Sequence, residues 1–178
     1  MANKINTQAQ AQGFMYGLQA LRFKGKIIGY IEKGSFDFGG AKGETVDVEA
    51  EQVPDAPVWT LQQSNATIKP KFNLIQLQYE NLQMLLGGKL VKQGEGAEAK
   101  TTGWEAPVDL EQISGEMQID TPSGHRIEIP NGMLNGNFSG GLTMDAVAKV
   151  ECELSVLKPE DGGAPYRIIN IPEDEIPA

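Results

Sequence analysis

The sequence predicts a mainly β protein, a β-sandwich or half-barrel with one short α-helix on its flank. Three observations lead there. Stretches that alternate apolar and polar residues recur along the chain, the longest being Leu142–Leu157. The 21 glycines among 178 residues supply the turns that many short strands need. The hydrophobic period switches to helical steps in one place only, inside ATIKPKFNLIQLQYENLQMLLGG at 66–88.

In that segment Ile68, Phe72 and Leu74 oppose Lys69, Lys71 and Asn73, a strand pattern. Tyr79, Leu82, Leu85 and Leu86 then recur at three- and four-residue steps, one apolar stripe of a helix that Gly87 and Gly88 terminate. Two helical turns are marginal alone, so the stripe has to pack on the sheet.

The length suits one domain. Its expected parts are a flexible N-terminal arm (1–13), a β body (14–172) and an acidic tail (173–178). Hydrophobic residues at 40% allow a real core, and the single Cys152 leaves no internal disulfide to require an oxidising compartment. The opening MANKINTQAQAQG has no basic-then-apolar signal, and no run approaches about 18 apolar residues, so the expectation is a soluble protein made in a cytoplasm. The net charge of −9 opposes general attraction to nucleic acid or an anionic membrane. Residues 1–43 hold six Lys/Arg against two acids, +4, which leaves −13 for the rest. From charge alone such asymmetry reads first as two solvated faces, and it is compatible with head-to-tail association.

In chain order, Phe14–Phe23 reads as a strand weakened by Gly17, and Lys26–Glu32 with Ser35–Phe38 as a strand interrupted by Gly34. The GGAKG turn lacks the Lys-Ser/Thr pair of a phosphate loop. Glu44–Val53 is the clearest strand: Val46, Val48 and Ala50 on one face, Thr45, Asp47, Glu49 and Glu51 on the other. Residues 54–65 read as a long loop, and so does 93–107 after a short strand at Lys89–Lys92. Trp59 and Trp104 are the anchors of these loops, each either a core plug or an interface residue. Val108–Ile113 and Glu116–Asp120 flank Ser114-Gly115, which reads as a tight hairpin or a bulge, and His125–Ile129 as a short strand before Pro130. A turn with one irregular strand follows, then Leu142–Leu157 and a last strand at Tyr166–Ile171.

Little in the chain suits catalysis. There is one histidine, His125, at a turn, and the cysteine falls on an apolar face without a cationic neighbour. No GxSxG, HExxH or CxxC is present, so neither a cofactor nor a metal site is expected. Two sequons, Asn65-Ala66-Thr67 and Asn137-Phe138-Ser139, are read as chance matches.

The strands of KGKIIGYIEKGSF, the acidic hairpin around 44–53, the strand-into-helix FNLIQLQYENLQMLLGG and the late strand AKVECELSVLKP with its glycine loop together resemble the phage tail tube proteins. That family shares its fold with contractile inner tubes and the secreted ring protein of type VI secretion. The resemblance implies a virion structural subunit. It would form homohexameric rings whose strands complete one barrel, stacked into a conduit for DNA in transit, and would meet tape measure and tail terminator or tip proteins. It further implies that the helix packs outside the sheet on Tyr79, Leu82, Leu85 and Leu86. Thr45, Asp47, Glu49 and Glu51 would face the lumen, a place for which Glu151 and Glu153 compete. Phe14, Trp59 and Trp104 would contact neighbouring subunits or rings.

Two other classes are weighed beside it. One is a ligand- or carbohydrate-binding sandwich that stacks sugars on Trp59, Trp104 and Tyr79. The other is an acid–base enzyme built on Asp47 and Glu49.

Overall fold

The computed structural model describes residues 13–172 and Glu175; the expected N-terminal arm and acidic tail otherwise lie outside the described residues. Among the described residues the fold is mainly β with a single α-helix. The elements are β1 (Ala20–Phe23), β2 (Lys26–Ile27), β3 (Thr45–Val48), β4 (Trp59–Gln62), β5 (Lys71–Leu74), α1 (Tyr79–Leu86), β6 (Lys89–Gln93), β7 (Lys100–Glu105), β8 (Ile113–Asp120), β9 (His125–Ser139), β10 (Lys149–Val156) and β11 (Arg167–Asn170). A seven-stranded antiparallel sheet runs β2-β1-β8-β9-β10-β5, with β11 beside the first part of β9. The backbone N–H of Glu32 donates to Asn73 O (2.8 Å) and that of Ile75 to Tyr30 O (3.1 Å). These bonds join the two ends of the strand order, so the sheet curls back on itself as a half-barrel.

Period-two alternation decides which face is dry. Leu21 and Phe23 of β1, Phe72 and Leu74 of β5, Met117 and Ile119 of β8, Ile127 and Ile129 of β9, and Val150, Cys152 and Leu154 of β10 are buried together. Leu82 and Leu85 of α1 close over them. The opposite face is polar: Gln118, Asn135, Asn137, Lys71, Asn73, Glu151 and Glu153 stand there by register. Lys69 and Lys71 both reach Glu153 (2.9 and 3.0 Å), and their hydrogen bonds hold its carboxyl below the usual range.

Several elements differ from the sequence expectation, each for a local reason. β9 does not stop at Pro130. It runs 15 residues, because Pro130 and Asn131 together oppose Glu116 in a bulge that absorbs the missing donor and shifts the parity. Gly132 and Leu134 therefore take over the inward positions from Ile129. Residues 113–120 form one strand, so of the hairpin and the bulge expected at Ser114-Gly115 it is the bulge that forms, where the register shifts after Gly115. β10 begins only at Lys149, and β1 only at Ala20. The expected loops contain strands: β4 falls within 54–65, and β7 within 93–107.

The glycines of β9 mark close approach. A Cβ on Gly132 would stand 2.8 Å from Leu154 Cγ, and one on Gly136 would stand 2.9 Å from Leu86 Cδ2. Leu154 is wholly buried and has nowhere to retreat. Gly132→Ala is therefore expected to destabilise by about 1–3 kcal/mol through overpacking, read as a shifted urea midpoint at unchanged slope.

Helix α1 keeps most of its expected stripe. Leu82 and Leu85 are buried and Leu86 is half-buried. Tyr79 departs from the expectation: it is 43% exposed, and Asn81 takes the inward place in the first turn. Gly87 ends the helix at φ 75°, and its N–H donates to Gln83 O.

Candidate functional site

The least satisfied part of the molecule is a hairpin arm. Its legs leave the sheet at the edge of β5, through isolated bridges Ile31↔Leu74, Asp37↔Lys71 and Ala41↔Thr67. They pair as β3 with β4, from Thr45↔Gln62 to Val48↔Trp59, and turn back between Ala50 and Val53. From Glu44 to Thr67 every residue but Ala50 is exposed.

Cross-strand partners share a face. The register therefore sorts this arm into two sides. Val46, Val48, Trp59 and Leu61 lie on one, exposed by 44, 38, 64 and 42%. Thr45, Asp47, Thr60 and Gln62 lie on the other, with Thr60 Oγ1 donating to Asp47 Oδ1 (2.6 Å). Glu49 and Glu51 continue toward the tip. The four residues expected to face a lumen thus belong to the arm, while Glu151 and Glu153 lie on the polar face of the main sheet. A two-stranded ribbon with an apolar side is marginal in water unless something covers it.

Sequence reasoning missed β4, although its signal was present: Trp59 and Leu61 alternate with Thr60 and Gln62. The prolines at 54 and 57 masked it, and they sit in a loop between the tip and β4.

The two tryptophans have opposite fates. Trp59 is open to solvent on the arm. Trp104 is turned inward: it packs against the core and Phe138 (ring centroids 5.9 Å apart), and its Nε1 donates to Gly87 O (2.8 Å). Of its two expected roles, that geometry is the plug, pinning the β6–β7 hairpin to the end of α1. Phe14 is 66% exposed beside Met15 and Tyr16. Among the described residues the aromatic pairs are Phe36–Phe38 and Trp104–Phe138, and none joins Tyr79, Trp59 and Trp104 into a stacking floor.

A second set of exposed apolar residues lies at the opposite end of the sheet. Val108 and Leu110 precede β8, and Leu142 and Met144 link β9 to β10. All four are almost fully exposed.

The titratable groups are used structurally. Asp120 is buried between Arg22 and Arg126; Arg126 Nε lies 2.6 Å from its Oδ1 and Nη2 3.2 Å from its Oδ2, and Arg126 Nη1 reaches Glu175 (2.6 Å). Lys149 Nζ lies 2.9 Å from Glu32. The Asn73 hydrogen bond, then that of Lys149, lowers the Glu32 pKa. His125 Nδ1 lies 3.1 Å from Ser123 Oγ, which also meets Thr121 Oγ1 at 2.9 Å, all within one turn. Asp47 and Glu49 are exposed on the arm, and Asp47 accepts its hydrogen bond from Thr60. No group of three or more His, Cys, Asp or Glu among the described residues is arranged to hold a metal, and no described helix is long and apolar enough to cross a membrane.

Burial pushes the Cys152 thiol up to about 12. It is expected to ignore a thiol reagent at pH 8 in the folded protein and to react fully in urea, a difference read by absorbance. Fast labelling of the native chain would contradict the burial.

No family model and no curated protein matches this chain.

Proposed function

We propose that the protein is a self-assembling structural subunit, a tail tube protein that forms hexameric rings stacked into a conduit for DNA. One observation carries this reading: a protruding arm from Glu44 to Thr67 with one apolar and one polar face, which nothing among the described residues covers. A second copy is the partner that makes sense of it, because such an edge is otherwise an aggregation hazard. In the ring, the polar face bearing Glu151 and Glu153 lines the lumen, and the acidic residues Asp47, Glu49 and Glu51 ride on the arm toward the neighbour. On that face Lys69 and Lys71 balance Glu151 and Glu153 among the amides of Gln118, Asn135 and Asn137, so the lumen is polar without a net positive charge to hold phosphates, and DNA can slide without sticking. Tape measure and tail terminator or tip proteins are the other expected partners.

Size-exclusion chromatography with negative-stain microscopy tests the reading. Rings or tubes at high protein concentration, or on addition of tail initiator proteins, are expected. A compact monomer under both conditions would rule the reading out. Nothing in the placement of Trp59, Trp104 and Tyr79 favours a carbohydrate-binding module instead.

A further inference from the structure

The β1–β2 hairpin opens like a V. Near its turn the legs are paired, Arg22↔Ile27 and Phe23↔Lys26, and Ile28 N still donates to Leu21 O (2.9 Å). Beyond that the legs part. The N-terminal leg stays on β8, Gln19 N donating to Asp120 O, while the other crosses to β5 through Tyr30, Glu32 and Asp37. Among the described residues no backbone hydrogen bond joins 14–20 to 29–38. The gap is a cleft of about 690 Å³ whose floor reaches the core at Leu21, Ile119 and Ile127. Its walls include Tyr16, Leu18, Tyr30, Phe36 and Phe38, and the two tyrosines are 57 and 73% exposed.

We infer that this cleft is the receptor for the arm of the next copy, with Trp59 and Leu61 entering between Tyr16 and Tyr30. The inference rests on the self-assembly reading and names its contact. Charge chooses the pairing. The arm from 44 to 65 carries five carboxylates (Glu44, Asp47, Glu49, Glu51, Asp55) and no Lys or Arg. The charged residues that line the cleft are Glu32, Lys33 and Asp37; Lys149 neutralises Glu32 and Lys33 balances Asp37, so the cleft carries no net charge, and Lys24 and Lys26 stand further along the same hairpin at its turn. The competing apolar loops carry Asp109, Glu111 and Asp145 with no basic residue between 107 and 112 or between 140 and 148. They would repel the acidic arm, whereas the cleft would not. Arm and cleft are different surfaces, so the contact is head-to-tail and propagates or closes a ring.

Complementation tests this. The arm variant is Trp59→Lys with Leu61→Asp; the cleft variant is Tyr16→Asp with Tyr30→Asp, and Tyr30→Glu alone serves as a milder cleft variant. All alter exposed or half-exposed side chains, and unchanged circular-dichroism melts confirm folding. Each alone is expected to self-associate at least about 30-fold more weakly than wild type in sedimentation velocity. Mixed in equal amounts, arm and cleft variants are expected to form dimers and stop, because one intact arm and one intact cleft remain per pair. If the cleft variants assemble like wild type, or if Leu142→Asp with Met144→Asp complements the arm variant in their place, the cleft is not the receptor, although self-assembly stands. If wild type itself stays monomeric with and without tail initiators, both the receptor and the assembly reading fall.

Discussion

Asp120→Ala is expected to cost about 3–5 kcal/mol of folding stability, because it leaves two arginines without the carboxylate that balances them. Asp120 is 4% exposed and Arg126 5%, at the junction of β1, β8 and β9. Two opposing effects act on the carboxyl. Burial raises its pKa, and the hydrogen bonds from Arg126 and Arg22 outweigh that and hold it below its ordinary value of 3.8. A carboxyl depressed by folding stabilises fully above its unfolded pKa and loses that contribution as pH falls through the folded one. The wild type should therefore weaken below about pH 4, and its advantage over Asp120→Asn should shrink there. Urea denaturation at pH 7 and pH 3 measures both effects. For a chain of this size the loss at pH 7 corresponds to roughly 10 °C in melting temperature. Converting the whole cluster to apolar residues, Asp120→Leu with Arg22→Met and Arg126→Met, should recover much of the loss, since breaking a buried pair costs more than replacing it. A change under about 0.5 kcal/mol in Asp120→Ala would show that water already reaches the cluster.

That cluster was invisible in the sequence, for a physical reason. Arg22, Asp120 and Arg126 fall on the polar positions of their strands, where alternation expects solvent, and only the registers Ala20↔Asp120 and Asp120↔Arg126 bring them together. What depends on periodicity within one segment was legible: Val46 and Val48 opposite Asp47, Val150, Cys152 and Leu154 on the dry face of β10, and the helix at Tyr79–Leu86. What depends on pairing was not. Pro130 reads as a stop along the chain but becomes a bulge once Glu116 faces it. Tyr79 fits the helical stripe, yet Gly29 leaves room beside Asn81, whose Nδ2 would stand 3.1 Å from a Cβ there, and the smaller amide takes the inward place. The arm was half legible, because the alternation of β3 was read and that of β4 was hidden behind two prolines.

The second large effect concerns assembly and separates the two tryptophans. Trp59→Ala is expected to abolish association beyond the monomer while leaving folding stability within about 0.5 kcal/mol of wild type, since the side chain is 64% exposed in the free subunit. A buried aromatic anchor at an interface contributes 2 kcal/mol or more, about 30-fold per contact, and a closed ring loses that contribution once for every arm. Trp104→Ala is expected to do the reverse. It deprives Gly87 O at the end of α1 of its donor and leaves a void beside Phe138, costing about 3 kcal/mol or more of stability, yet removes nothing from the arm. Sedimentation velocity and thermal melts on the two variants read both quantities at once. If Trp59→Ala melted well below wild type and still assembled, the arm would be folding onto its own subunit, and its apolar face would have no claim on a neighbour.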